Sequence, residues 1–149
     1  MSPSAEPPLP YPDSYWVIPG QLLAGEYPGS VAAEAETRRK LRSLLQSGVD
    51  FIVDLTEEGE AGPYQLALNA ERTDLGKACA WQRFPIRNFT APTPEQLTAI
   101  LDAMDGALAM GKVVYVHCLA GIGRTGTVVG TYLVRHGLSG EQALEKIHR

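Results

Sequence analysis

In the run VVYVHCLAGIGRTG, residues 113–126, Cys118 stands ahead of Arg124 with only Leu119, Ala120, Gly121, Ile122 and Gly123 between them, and Thr125 follows. A cysteine thiolate is a strong nucleophile, and a guanidinium is a planar fork that can hold two phosphate oxygens at once, a geometry lysine cannot copy. A loop this short, between a strand-like run and a helix-like one, can curl so that successive N–H groups point inward at a helix N-terminus. The amides of Leu119, Ala120, Gly121, Ile122, Gly123 and Arg124 would then form a cradle for an anion. Gly121 and Gly123 would permit positive φ and close backbone approach. The same field acts on the sulfur. A free thiol has a pKa near ~8.5 and is only a few per cent ionised at neutral pH, whereas a helix N-terminus and an arginine both favour the thiolate. Thr125 offers a hydroxyl able to donate to that sulfur. His117 is expected to orient the loop through its ring nitrogens rather than to act as a base.

The same residues also spell G-x-G-x-x-G, through Gly121, Gly123 and Gly126. A dinucleotide site needs an acidic residue roughly 20 positions on, at the end of a second strand. Glu141 and Glu145 are at about that distance but fall in a helix-like stretch, and no strand follows. A Walker phosphate loop fails as well, because no G-K-[ST] is present. The cysteine reading is therefore the stronger one.

The elements that must position this loop can be read outward from it. VVYVH is a buried strand, and RTGTVVGTYLVRHG is a helix stopping at Gly137. Ser139 and Gln142 have capping-box spacing and begin a last helix. Upstream, Thr93, Pro94 and Gln96 supply an N-cap, an N1 proline and a second capping box for a helix reaching about Met110, with Leu97, Ile100, Leu101, Met104 and Leu108 on one face. YWVI and LLAG read as short strands broken by Pro19-Gly20. Residues 31–48 read as a helix with Val31, Leu41, Leu44 and Leu45 on one face and Gly48 as its stop. FIVDL (51–55) is a strand leading into the acidic TEEGE. Residues 63–72 form a weaker helix with Pro63 in its first turn, and 81–86 a further strand. Short apolar strands alternating with helices argue a single α/β domain with a largely parallel central sheet flanked by helices, in which ligands bind at the carboxyl ends of strands.

The 149 residues suit one core, and 13 basic against 17 acidic residues leave a net charge of −4, so nucleic acid is not the default partner. No apolar run is long enough for a membrane span. MSPSAEPPLPYPDSYW lacks the features of a secretory signal, and its prolines predict an extended, mobile arm over residues 1–14, with the domain proper at 15–149. Two well-separated cysteines, Cys79 and Cys118, fit reduced thiols in a cytoplasm. Cys79, without activating neighbours, reads as a packing residue, as do Trp16 and Trp81. No cluster has metal-ligand spacing, and no cofactor is expected.

HCLAGIGRTG resembles the active-site signature H-C-x-x-G-x-x-R-[ST]-G of the protein tyrosine phosphatase superfamily, and the short chain resembles its dual-specificity-like branch. The likeness extends through FPIRNFTAPTPEQL and, more loosely, LLAGEYPG and FIVDLTEEGE. It implies metal-independent, two-step phosphoryl transfer on a phosphate ester, from a phosphoprotein or a small molecule. Cys118 would form a phosphocysteine, the cradle and Arg124 would stabilise the equatorial oxygens, and Thr125 would help the thiolate leave.

Two departures matter. Family members usually carry an aspartate, the general acid, in a mobile loop about thirty residues before the cysteine. Here Asn88 stands at that place, and an amide can only hydrogen-bond. This predicts a bias toward aryl phosphates, whose leaving groups need protonation least, or reduced activity altogether. Asp54, Glu57, Glu58, Glu60 or Glu26 could supply a substitute acid. Similar proteins also continue past EQALEKIHR into a further helix. Two other functions stay open on the sequence: a phosphate-binding pseudophosphatase acting as a docking module, and a sulfurtransferase.

Overall fold

Every strand except the first points its carboxyl end the same way, and that shared edge gathers the loops of interest. A computed structural model describes residues 6–30 and 33–147. In chain order the elements are β1 (Ser14–Ile18), β2 (Leu22–Gly25), α1 (Glu34–Gln46), β3 (Val49–Asp54), α2 (Gln65–Asp74), β4 (Ala80–Arg83), α3 (Pro94–Ala109), β5 (Val113–His117), α4 (Gly123–Arg135) and α5 (Gly140–Ile147). They form one sheet in the order β1-β2-β5-β3-β4. Only β1 and β2 pair antiparallel; β2 with β5, β5 with β3, and β3 with β4 are parallel.

Two-residue alternation divides the core into a layer on each face of this sheet. On one face Val17, Leu22, Ala24, Val114 and Val116 pack with Ile100, Leu101 and Met104 of α3, Val128, Val129 and Leu133 of α4, and Ala143 of α5. On the other, Trp16, Leu23, Ile52 and Tyr115 pack with Leu41, Leu44 and Leu45 of α1 and Leu68 of α2. Strand β5 is therefore covered on both sides, flanked by parallel neighbours, and delivers residue 118 into the crevice at the carboxyl edge.

The local signals explain most boundaries. The side chain of Thr93 accepts from the amide of Gln96, and the Gln96 side chain accepts from the amide of Thr93, with Pro94 opening α3. Ser139 and Gln142 make the same reciprocal pair at α5. Gly48 (φ 97°) and Gly137 (φ 104°) take the left-handed conformation just past α1 and α4.

Four expectations need correction. Helix α1 spans Glu34–Gln46, shorter than 31–48, and Val31 lies outside the described residues. Helix α2 is Gln65–Asp74 and not 63–72, so Pro63 precedes it and Tyr64 is its N-cap. Strand β4 ends at Arg83 because Pro85 brings no N–H to the ladder, although the amides of Phe84 and Ile86 still donate to Asp54 and Leu55. The proline-rich arm is engaged from Pro7 onward: Trp16 Nε1 donates to the Pro7 carbonyl at 2.9 Å, and the Tyr11 hydroxyl donates to that of Tyr115 at 2.6 Å.

Candidate active site

Loops after β2, β3, β4 and β5 converge at the carboxyl edge. The thiol of Cys118, one residue past β5, is almost wholly covered (3% exposed) and lies under the loop 118–122 that opens α4. The loop's fold depends on Gly121. Its φ is 77°, and a Cβ built there would lie 2.4 Å from the carbonyl carbon of Gly25 and 2.7 Å from the amide nitrogen of Glu26. Only glycine allows both the left-handed conformation and that backbone-to-backbone contact. Gly123, by contrast, has no positive φ and open space around it, so the expectation that both glycines supply left-handed backbone holds for Gly121 alone. Leu119 fixes its end of the loop by accepting the Tyr27 amide at 3.0 Å. Ala120 and Ile122 sit on the exposed outer side of the loop.

Arg124, in the first turn of α4, is buried and aimed across the site. Its Nη1 donates to the Ile86 carbonyl and to Glu60 Oε1, each at 2.8 Å, with the Leu55 carbonyl at 3.5 Å; its Nη2 pairs with Glu60 Oε2. Glu60 thus grips the Nη1–Nη2 end of the fork. Hydrogen bonding to Arg124 holds the Glu60 carboxyl below the usual carboxylate range, so it is kept ionised. An ionised, paired Glu60 is not placed to donate a proton, contrary to the expectation that it could serve as an acid. Asp54 is equally committed: its oxygens accept from the Thr56 amide (2.9 Å), the Thr56 hydroxyl (2.5 Å) and Trp81 Nε1 (3.1 Å). Glu26 pairs with Lys40 at 3.0 Å, while Glu57 and Glu58 are exposed on the turn before Glu60.

His117 is fully buried. Its Nδ1 lies 2.9 Å from the Cys118 carbonyl and its Nε2 2.7 Å from the Tyr64 hydroxyl. A carbonyl can only accept, so Nδ1 carries the proton, and in the neutral ring Nε2 accepts from Tyr64. Burial holds the His117 pKa below its ordinary value, against the opposing pull of Asp54 3.8 Å away. The ring is therefore neutral at pH 7 and wired to the loop backbone. The hydroxyl of Thr125 is buried and has no hydrogen-bond partner among the described residues.

Asn88 lies in the exposed loop between β4 and α3, two residues past the Ile86 carbonyl that Arg124 grips. Its side-chain oxygen accepts the amide of Phe89 at 3.1 Å, and Phe89 takes a positive φ of 62° with its ring 98% exposed. The loop thus borders the site, with the amide of Asn88 turned to its own backbone. Cys79 sits at the opposite edge of the sheet. It precedes Ala80, the first residue of β4, while Arg83 at the other end of β4 is level with Asp54 and, through it, His117. At about 3.3 Å per residue the two thiols are more than ~10 Å apart along the strands, and burial pushes the Cys79 thiol up to about 11. Trp16 belongs to the core, and Trp81 serves Asp54.

Sequence reasoning did not single out Tyr64, Tyr27, Tyr11 or Tyr115, whose rings surround His117 and the segment under Gly121. Each acts across more than fifty residues or through a backbone atom, so no local spacing marks it.

Comparison with known proteins identifies the family. A family model described as a polymorphic toxin system DSP-PTPase phosphatase matches residues 25–138. The phosphatidylinositol 3,4,5-trisphosphate 3-phosphatase and protein-tyrosine-phosphatase PTEN1 of Arabidopsis thaliana is 36% identical over 130 residues, covering 86% of this chain and 30% of that protein. The protein tyrosine phosphatase domain-containing protein 1 of Mus musculus is 37% identical over 128 residues, covering 81% of this chain and 17% of its own length. The chain therefore spans less than a third of these curated relatives. Among solved structures, Tk-PTP in its active form superposes with a TM-score of 0.76 at 28% identity, covering 93% of this chain and 84% of that one. With the signature loop, the mostly parallel sheet and the family match coinciding on the same residues, the chain belongs to the dual-specificity-like DSP-PTPase family of the protein tyrosine phosphatase superfamily.

Proposed function

We propose that the protein hydrolyses phosphate monoesters through a phosphocysteine at Cys118, without a metal. What carries the reading is the placement of Cys118 and Arg124 on opposite sides of one short loop, the thiol at the end of β5 and the guanidinium in the first turn of α4. Because Glu60 takes the Nη1–Nη2 end of Arg124, a phosphate held bidentate would use the Nε–Nη2 edge, which the ion pair orients and does not consume. In the first step the sulfur forms a bond to phosphorus as the bond to the ester oxygen breaks, and that oxygen leaves with the electron pair. The loop amides and Arg124 meet the charge on the equatorial oxygens. In the second step water attacks phosphorus, the S–P bond returns its electrons to sulfur, and inorganic phosphate departs. The free hydroxyl of Thr125 is the group able to receive that thiolate.

Leaving-group protonation is the weak point. Asn88 cannot transfer a proton, and Asp54 and Glu60 are engaged elsewhere. General acid catalysis contributes roughly 10²- to 10⁴-fold, and its absence costs least for a phenol, with a pKa near ~10. The favoured substrates are therefore aryl phosphates such as phosphotyrosine. The name of the Arabidopsis relative covers both a phosphoinositide and a phosphotyrosine, and the leaving-group argument selects the second. A panel of phosphate monoesters spanning leaving-group pKa tests this. Aryl esters should turn over, alkyl esters should lag by two or more orders of magnitude, and Cys118→Ser should abolish both. Turnover that survives Cys118→Ser, or oxyanion binding without any turnover, would refute the enzyme reading and favour a phosphate-binding docking module.

A further inference from the structure

The phosphate loop rests on a shelf, Gly25–Tyr27, that begins at the last residue of β2 and runs on beyond the strand. The backbone of Gly121 lies against that of Gly25 and Glu26, and the Tyr27 amide donates to the Leu119 carbonyl at 3.0 Å. Strand β2 ends at Gly25, so residues 26 and 27 are held by contacts other than the β2 ladder. The Glu26 amide donates to the Asp13 carbonyl at 3.1 Å. The Tyr115 hydroxyl donates to the Glu26 carbonyl at 2.5 Å and accepts from Tyr11 at 2.6 Å. Lys40 Nζ donates to the Tyr27 carbonyl at 2.9 Å and to the Glu26 carboxylate at 3.0 Å, and stands 4.7 Å from the centre of the Tyr11 ring.

Resting on the phosphatase reading above, we propose that Tyr11, supported by Lys40, is a positioning residue for the phosphate loop: the arm before β1 clamps the Gly25–Tyr27 shelf, and the shelf sets the spacing of the oxyanion cradle. Tyr11 touches both groups that hold the shelf from the side away from the loop, the Tyr115 hydroxyl and the Lys40 ammonium. Tyr115 is fully buried, and its hydroxyl donates toward Glu26 while accepting from Tyr11, so the two bonds polarise one another in a low-dielectric setting. Removing the Tyr11 hydroxyl weakens the bond to the Glu26 carbonyl as well as its own. Gly25 shows how tightly the pieces meet: a Cβ there would lie 2.6 Å from the Asp13 carbonyl oxygen and 2.7 Å from the Tyr115 hydroxyl. Arm, shelf and loop are thus in backbone contact in series, and a relaxation of the shelf must be taken up by the loop.

The test is Tyr11→Phe, which keeps the ring over Lys40 and removes one oxygen. Tungstate binding by calorimetry and p-nitrophenyl phosphate hydrolysis are the readouts. A net hydrogen bond is worth about two- to tenfold in an equilibrium constant, so tungstate should bind about that much more weakly, with kcat/KM falling by a similar factor. Lys40→Met should move both in the same direction through the other support. Ser139→Ala, which removes only the cap of α5, provides the stability control: it should lower Tm and leave tungstate binding unchanged. Equal tungstate affinity in Tyr11→Phe and wild type, or an equal loss in Ser139→Ala, would overturn the positioning role. A wild-type protein that binds tungstate and turns over while Tyr11→Phe matches it refutes this inference alone. A wild type that does neither refutes the phosphatase reading and this inference with it.

Discussion

Replacing Gly121 by alanine puts a methyl group where the backbone of Gly25 and Glu26 already sits. Ordinary contact begins at about 3.4 Å, and the new Cβ would stand 2.4 Å from the Gly25 carbonyl carbon and 2.5 Å from its oxygen, so one backbone must retreat by about 1 Å. The left-handed conformation at φ 77° adds about 1–2 kcal/mol for an alanine. The shelf is tied to Asp13, Tyr115 and Lys40, so the loop is the part that gives. A displacement of about 1 Å in a catalytic constellation costs on the order of 10²-fold, and that is the expected fall in kcat/KM for an aryl phosphate, with tungstate binding weakened alongside. Gly126→Ala is the matched comparison. Its Cβ would meet only Ile147, at 4.0 Å, and its backbone is helical, so activity should be retained and α4 slightly stabilised. The assay is steady-state hydrolysis of p-nitrophenyl phosphate, with circular dichroism to confirm folding. A Gly121→Ala protein within threefold of wild type would refute the claim that the Gly25–Gly121 contact fixes the cradle. So would a Gly126→Ala protein impaired as severely.

Asn88→Asp should raise kcat/KM by about 10- to 10³-fold for alkyl phosphates and by far less for p-nitrophenyl phosphate; an equal gain for both, or none, in a leaving-group series would show that residue 88 is not placed to serve as the acid. Glu60→Gln leaves Arg124 its bond to the Ile86 carbonyl and removes the carboxylate, so kcat/KM should fall by roughly threefold to tenfold, discounted for the partial exposure of Glu60. The sign of its pH dependence follows from a folded-state pKa held below the ordinary value: the ion pair's stabilisation is complete above the unfolded carboxylate pKa of about 4.3 and is lost as pH falls through the lower folded value. The Tm difference between wild type and Glu60→Gln, followed from pH 7 to pH 3, should therefore be constant at neutral pH and shrink only in strong acid.

What the sequence discloses of this site depends on which atoms each loop contributes. The loop after β5 supplies side-chain chemistry, a thiol, a guanidinium and a hydroxyl, together with a glycine that no other residue can replace, and these leave a readable signature in HCLAGIGRTG. Caps are legible for a similar reason: Thr93 with Gln96, and Ser139 with Gln142, act within three residues, so type and spacing are the whole of the interaction. The other loops contribute mainly backbone. Arg124 is held by the carbonyls of Leu55 and Ile86, Gly121 abuts the peptide joining Gly25 to Glu26, and Leu119 accepts the amide of Tyr27. Any residue presents a carbonyl and almost any presents an amide, so nothing in the residue types marks those positions. Where side chains do act at long range, as with Glu60 on Arg124 and Tyr64 on His117, their partners lie 64 and 53 residues away. They become visible only once β3 and β5 pair in parallel, with Asp54 beside His117. The acidic run TEEGE shows the consequence. As composition it reads more readily as a solvated loop than as part of a site; as geometry it leaves Glu57 and Glu58 exposed and supplies one carboxylate, Glu60, that steers Arg124.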